Sequence, residues 1–325
     1  MPDVTTAPTV SVVTVTFNSE EFIRGCCRSV AAGAGTVAVE HVVIDNCSTD
    51  ATSDLVRREF PGVRFVANDR NLGLTAANNQ GAALSRGRYV VFLNPDTIVP
   101  EGVWATLVAL MDRDSTIGVL APRLVDQHGR LSDMGHRAPT AWTLINGFLL
   151  LSRLSPRRFP GVVRYHDVHG LEDCEWACGA CLMVRREIVE QFQWRVFGSG
   201  DDFDYCQQIR EAGWRIVITG DAEVIHFSGR SWVEAKPTVF AGTASNFARH
   251  LRAHHGPLHT AIGIASMRLG LHLRGAAHRL LYRLSKDPER LYKANRTRQF
   301  LAHDDYCVFR KTPVEAPTLY PSKRT

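Results

Sequence analysis

Between Val10 and Leu93 four short apolar runs alternate with helix-like segments, and each run gives way to polar residues. Val10–Thr16 is rich in β-branched residues and leads through Phe17-Asn18-Ser19 into a helical pattern over Glu20–Ala31. Glu40–Ile44 follows, and Ser48, Thr49 or Asp50 can cap the next helix, which reaches about Phe60. Val63–Ala67 reads as a third strand, Asn68–Gly73 as a turn, Leu74–Ser85 as a helix and Tyr89–Leu93 as a fourth strand. Strand, helix, strand at this spacing predicts a parallel α/β sheet with crossover helices. Ligands of such sheets bind beyond the carboxyl ends of the strands. Asn18, Asp45 and Asp96 all fall at those ends, where packing of the sheet requires no acids.

The second half is less regular. Ala138–Leu151 is uncharged and mostly apolar but too short to span a bilayer. Trp176–Val184 reads as one buried strand, followed by a helix from about Arg186. Asp201 opens a helix to Ala212 with Gly213 as its stop, and Trp214–Ile218 and Ala222–His226 read as two short strands. Ile262, Ala265, Leu269, Leu273, Ala276, Leu280 and Leu284 form a helical stripe interleaved with Arg268, Arg274, Arg279 and Arg283. The bland reading is a helix packed on the domain with a solvated basic face; the functional one is a helix lying on an anionic membrane.

With 325 residues and 45% hydrophobic content, one large domain plus an appendage is expected. The formal charge of +5 implies no nucleic-acid partner, although residues 249–298 carry eleven Lys/Arg against Asp287 and Glu289. No basic leader precedes the first apolar run and no apolar stretch is long enough for a spanning helix, so neither a secretory signal nor a membrane span is expected. The eight cysteines show no even disulfide framework, which suits a reduced cytoplasmic setting. Thr312–Thr325 is expected to be a loose tail.

Three groups can carry chemistry. Asn94-Pro95-Asp96 sets a carboxylate on a stiff turn at a strand end, where a hard divalent cation bridging a diphosphate would sit, although proline and aspartate also suit a simple turn. Asp201-Asp202-Phe203-Asp204 puts acids at a helix start, which the macrodipole favours for stability alone. Three acids in four residues nevertheless repel, and one of them can act as a base toward a hydroxyl. His226 can complete a metal site begun by a carboxylate, with Gly229, Arg230 and Ser231 as phosphate donors. Cys174, Cys178 and Cys181 have an iron–sulfur spacing, but small residues packing at the head of an apolar strand explain them.

In order, the strings VSVVTVTFNS, VVIDNCSTDAT, NDRNLGLTAANNQGAAL, YVVFLNPDT, GACLMVRRE, GSGDDFDYCQQIREAGWRI and AEVIHFSGRS resemble family 2 glycosyltransferases, especially the bacterial rhamnosyltransferase-like branch. The resemblance covers roughly residues 10–232. It implies an α/β fold of GT-A type, Rossmann-like, with a mostly parallel central sheet, flanking helices and a C-terminal helical extension. It implies a catalytic domain over 1–240, with a nucleotide-sugar half at about 10–100 and an acceptor half at 101–240, then a basic helical extension over 241–311. By position, Thr16, Asn18 and Asp45 match residues around the nucleotide base, and Asn71 and Gly73 a loop beside it. Asn94 and Asp96 stand where the D-x-D motif stands, with Asp96 as metal ligand for Mg²⁺ or Mn²⁺. Asp202 matches the general base with Asp201 beside it, His226 an additional metal ligand, and Trp176, Gly179 and Ala180 the acceptor side.

The chain departs from that pattern in Asn94, which replaces the first acid of the motif, in D-D-F-D for E-D-x-D, and in the unusual Gln193–Phe197 segment. The implied reaction is inverting transfer of a sugar, with dTDP-rhamnose the preferred donor, to a glycan or lipid-linked acceptor in cell-envelope synthesis, peripheral to the inner face of the plasma membrane. Alternatives from other classes are a sugar-1-phosphate nucleotidyltransferase, which wants a basic Gly-rich loop where Glu20 and Glu21 stand, and a non-catalytic nucleotide-sugar-binding protein.

Overall fold

A computed structural model of the chain describes residues 7–132, 135–155, 158–162, 167–195, 201–227, 247–287, 290–295, 297–298 and 301. The first four strands, β1 (Val10–Thr16), β2 (Val39–Asp45), β3 (Arg64–Ala67) and β4 (Tyr89–Leu93), lie in the order β3-β2-β1-β4 and are all parallel. Helices α1 (Glu20–Ala32), α2 (Thr52–Glu59) and α3 (Leu74–Leu84) provide the crossovers. β1 is buried along its whole length, which is why it is rich in valine. Its buried polar residues are matched across the β1–β2 ladder. Ser11 donates to Glu40, Thr14 meets His41 Nε2 at 3.0 Å, and Thr16 donates to Asp45 at 2.8 Å. Each match removes the penalty of roughly 1–3 kcal/mol that an unpaired buried polar group carries.

The sheet changes character beyond β4. After β5 (Thr97–Ile98), α4 (Val103–Arg113) and β6 (Ile117–Val125), the chain returns through β10 (Cys181–Arg185), which runs antiparallel between β4 and β6. β11 (Arg215–His226) is parallel to β6, and its other edge carries β8 (Leu171–Cys174) and β5, both antiparallel. The result is a nine-stranded mixed sheet, parallel from β3 to β4 as expected and mixed beyond. A two-stranded sheet of β7 (Gly135–His136) and β9 (Trp176–Ala177) stands beside it.

Three sequence expectations are corrected. Trp176–Val184 is not one strand; it breaks between β9 and β10, because Cys178–Ala180 form the loop described below. The two short strands after Gly213 are one long β11 with a register shift between Thr219 and Glu223. Gly220 sits in that shift, and a Cβ there would come within 1.9 Å of the Val168 carbonyl oxygen. Ala51, rather than Ser48, Thr49 or Asp50, is the N-cap of α2, although Asp50 accepts the Thr52 N–H at 3.0 Å.

The remaining elements are α5 (Ala141–Phe148), α6 (Leu151–Leu154), α7 (Arg186–Gln191), α8 (Asp201–Glu211), α9 (247–254) and the long α10 (Pro257–Ser285). Together α9 and α10 form the C-terminal helical extension. Among the described residues no helix is long and apolar enough to cross a membrane. The tail from Thr312 lies outside them.

Candidate active site

The first part of the site is built where β1 and β2 end together, with Thr16 and Asp45 in register. Asp45 is buried, and both its oxygens are taken. Thr16 and the Ser48 hydroxyl donate to Oδ1, and Ser48 N–H at 3.1 Å and Ser53 at 2.7 Å donate to Oδ2. A carboxylate accepts about four such bonds. Asp45 therefore shapes the loop that follows β2, and the open surface belongs to Phe17 and Asn18. Asn18 adopts a left-handed φ of 50°, which asparagine tolerates, and its Oδ1 accepts the Thr49 N–H at 2.8 Å. Asn46 performs a role that the sequence reading missed. Its Oδ1 accepts the Leu72 N–H at 3.1 Å and so holds the Asn71–Gly73 loop against the end of β2. Asn71 in turn accepts the Gly73 N–H at 2.9 Å, and Gly73 opens α3 at a φ of 83°.

The turn after β4 joins two other elements. The Asn94 N–H donates to the Ala180 carbonyl at 2.9 Å, and the Thr97 hydroxyl donates to the Asn94 carbonyl at 2.7 Å. β5 pairs Thr97 with His226, and the Phe227 N–H donates to the Asp96 carbonyl at 2.9 Å. This pairing sets Asp96 Oδ1 3.4 Å from His226 Nε2, with side chains only 2% and 8% exposed. Among the described residues no group of three or more His, Cys, Asp or Glu forms a metal-holding cluster, and Asp96 and His226 are the pair brought together here. Gly229, Arg230 and Ser231 lie outside the described residues.

Asp202 stands at the second position of α8. Its Oδ2 accepts the Gly179 N–H at 3.1 Å and its Oδ1 the Phe203 N–H at 2.9 Å. A Cβ on Gly179 would lie 3.3 Å from Asp202 Cβ, so the loop approaches this carboxylate closely because residue 179 has no side chain. Burial raises the Asp202 pKa above the ordinary carboxylate value, against the opposing pull of the backbone N–H donors. Asn94–Ala180 and Gly179–Asp202 share one short loop, which links the turn after β4 to the start of α8.

The repulsion expected among the acids of this helix is offset. Burial raises the Asp204 pKa, while the charges of Arg195 and Arg249 oppose the rise; Asp201 also feels Arg249. Trp176 is buried. It stacks on His136 at 3.6 Å, meets Phe203 edge-on, and donates its indole N–H to the Arg137 carbonyl at 3.1 Å. It is therefore a packed support beside Phe203 and not an open platform. The unusual segment at Gln193 also finds a purpose. Trp194 stacks on Tyr205 at 4.5 Å and meets Phe92 edge-on, while its backbone N–H and carbonyl pair with the Asn79 side chain at 2.9 and 2.8 Å. Residues 196–200, including Gly198-Ser199-Gly200, lie outside the described residues.

The three cysteines of iron–sulfur spacing occupy different elements. Cys174 pairs with Ile216 on β8 and Cys181 with Leu93 on β10, and both are buried as packing residues.

Several known proteins resemble this chain. It is 29% identical over 264 residues to the N-acetylglucosaminyl-diphospho-decaprenol L-rhamnosyltransferase of Mycobacterium tuberculosis, covering 75% of this chain and 80% of that protein. It is 40% identical over 102 residues to the succinoglycan biosynthesis protein ExoO of Rhizobium meliloti, covering 31% and 29%. Among solved structures, the mannosyltransferase PcManGT from Pyrobaculum calidifontis, in complex with GDP-Man and Mn²⁺, superposes with a TM-score of 0.56. That match has 18% identity over 96% of this chain and 90% of the other. GalNAc-T7 with UDP, GalNAc and Mn²⁺ gives a TM-score of 0.54 at 20% identity, covering 76% and 48%. These likenesses give the fold, an α/β GT-A architecture with a central mixed sheet, flanking helices and a C-terminal helical extension. Residues 11–192 match the family described as Glycosyl transferase family 2. The match spans more than half of the chain, which therefore belongs to glycosyl transferase family 2.

Proposed function

We propose that the chain is an inverting, metal-dependent transferase that moves a sugar from a nucleoside diphosphate to an acceptor hydroxyl, with Asp202 as the base. One observation carries this reading. The loop of Gly179 and Ala180 ties the half-buried, proton-attracting Asp202 to the turn that bears Asp96. A base and a diphosphate-facing carboxylate on one rigid connection suit in-line displacement, which rewards positioning above all.

The residues at Asp96 and His226 fit a divalent cation. A carboxylate oxygen and an imidazole nitrogen 3.4 Å apart are near the separation of about 3 Å between neighbouring ligands of a small cation. Both are buried at the strand ends, and a small hard cation held by few protein ligands takes its other positions from phosphate oxygens and water. Mg²⁺ or Mn²⁺ held there would neutralise charge on the departing diphosphate. The protein's own work is then definite. Asn18, Asn71 and Gly73 border the nucleotide, Asn94 and Asp96 face the diphosphate, and Asp202 takes the acceptor proton at a carboxylate oxygen. The oxygen that loses the proton attacks the anomeric carbon opposite the leaving group, which inverts that centre. Trp176 packs edge-on against Phe203, the residue that follows Asp202 in α8.

Rhamnose from dTDP-rhamnose is the preferred sugar and donor, and a lipid diphosphate-linked glycan the preferred acceptor. The resemblance to the mycobacterial enzyme over most of both chains supports this choice. A thermal-shift screen of dTDP-, UDP- and GDP-sugars with Mn²⁺ and Mg²⁺ tests it. Metal-dependent stabilisation by dTDP-rhamnose above the other donors is expected. Stabilisation by a UDP- or GDP-sugar alone would reassign the donor, and stabilisation by none would remove the reading.

A further inference from the structure

α10 is a 29-residue helix, about 43 Å long, with three unlike faces. One face packs tightly. A Cβ on Gly263 would lie 2.8 Å from Leu251 Cδ1, one on Gly270 would lie 2.5 Å from the Phe148 carbonyl oxygen, and Arg274 donates to the Gly147 carbonyl at 2.7 Å. These contacts fix the rotation of the helix about its axis. What the other two faces present is therefore set by the fold.

The second face is an exposed apolar stripe. Leu258, Ile262, Leu269, Leu273, Leu280 and Leu284 recur at alternating steps of four and seven, a period that keeps them on one nearly straight line. The two end leucines are 75% and 76% exposed. The sequence stripe is thus not the packed face. It looks outward, and a contiguous apolar line of that length marks an interaction surface.

The third face borders a cavity of about 350 Å³, into which Arg268, His272 and Arg279 of α10 converge with Arg298, over Leu271 and Leu301. No acidic side chain is among the described residues lining it. Charge of one sign beside apolar walls concentrates the field for an anion, and guanidinium forks match phosphate oxygens. At 100° per residue this face lies about a third of a turn from the stripe. A helix resting with its leucines in an apolar boundary would hold those cations at the level of phosphates above it.

We propose that α10 seats the protein on an anionic lipid surface, with the leucine stripe in the acyl boundary and the Arg268–His272–Arg279–Arg298 cavity holding a headgroup phosphate. The inference stands apart from the catalytic reading, because it is tested without turnover. The full-length chain is floated with vesicles of phosphatidylcholine alone or mixed with phosphatidylglycerol. Binding to the mixed vesicles only is expected. The variant Arg268→Gln/Arg279→Gln/Arg298→Gln should bind them roughly 100-fold more weakly, since each of the three charges near a membrane is worth about fivefold. Leu269→Ser/Leu273→Ser, with unchanged circular dichroism, should also weaken binding, and inorganic diphosphate should compete. Equal binding to both vesicles, binding to neither, or undiminished binding by the arginine variant would overturn the proposal. Saturable binding of inorganic diphosphate without vesicle binding would make the cavity a soluble-anion site and overturn the lipid assignment. A concentration-dependent dimer lost in Leu269→Ser/Leu273→Ser, again without vesicle binding, would make the stripe a self-interface instead.

Discussion

Asp96 Oδ1 and His226 Nε2 lie 3.4 Å apart, brought together by the short pairing of β5 with the end of β11. Neither side chain could find the other through local structure. Only a strand that returns antiparallel beside the turn after β4 joins them, and the same pairing ties the Phe227 N–H to the Asp96 carbonyl. The pair therefore depends on the sheet, while its chemistry depends on the two side chains.

Asp96→Ala removes the carboxylate that stands alone in the motif, since Asn94 replaces the other acid. Loss of a group that merely supports a metal ligand costs roughly 10–100-fold in affinity. Asp96→Ala should cost at least that in Mn²⁺-dependent donor binding, measured by titration calorimetry, and His226→Ala should cost less but in the same direction. Unchanged metal dependence in Asp96→Ala would place the cation elsewhere.

Gly179→Ala tests the close approach behind the base. The added methyl would stand 3.3 Å from Asp202 Cβ, so Asp202 or the loop must give by a few tenths of an ångström. A misplacement of about 1 Å can cost 10²-fold, so a loss of kcat up to about 10²-fold is expected, with little change in thermal midpoint. A wild-type kcat would mean that the position of Asp202 is not critical.

The pH dependence follows from burial of Asp202, which raises its pKa above the carboxylate norm of about 3.9. A base works only when deprotonated. kcat/KM should therefore fall as pH drops through that raised value, at a pH above the ordinary carboxylate range. The sign for stability is opposite: a raised carboxylate pKa favours the folded protein when Asp202 is protonated, and that contribution is lost as pH rises through the same value. An acid limb of the rate profile at or below the ordinary value would contradict the assignment.

Asn79→Ala removes both hydrogen bonds to the Trp194 backbone. It should destabilise the fold by about 1–3 kcal/mol in denaturant titration, the cost of leaving such groups unsatisfied.

The first half of the chain was largely legible in sequence because its signals are local. β1 and β4 were read to the residue, and the crossover helices to within a residue or a few at each end, since β-branched runs and amphipathic spacing are set by neighbours in the chain. The second half was not. β10 enters antiparallel and β11 spans a bulge, outcomes decided by which edge each strand meets rather than by its own pattern. Among site residues, the resemblance singled out Asp202, Asp96 and His226. Asn46 and Asn79 escaped, because their work is to bond the backbone of segments distant in sequence, which no spacing announces. Trp176 was expected to border the acceptor; its burial against His136 and Phe203 makes it a support.

The central claim concerns Asp202. Single-turnover transfer by Asp202→Asn, with saturating dTDP-rhamnose and Mn²⁺, measures it most directly. Asp202→Asn should lose roughly 10²–10⁴-fold in rate, the usual worth of a positioned base, while binding the donor as the parent protein does. Near-normal turnover in Asp202→Asn alongside an inactive Asp201→Asn would contradict the account and move the base to Asp201.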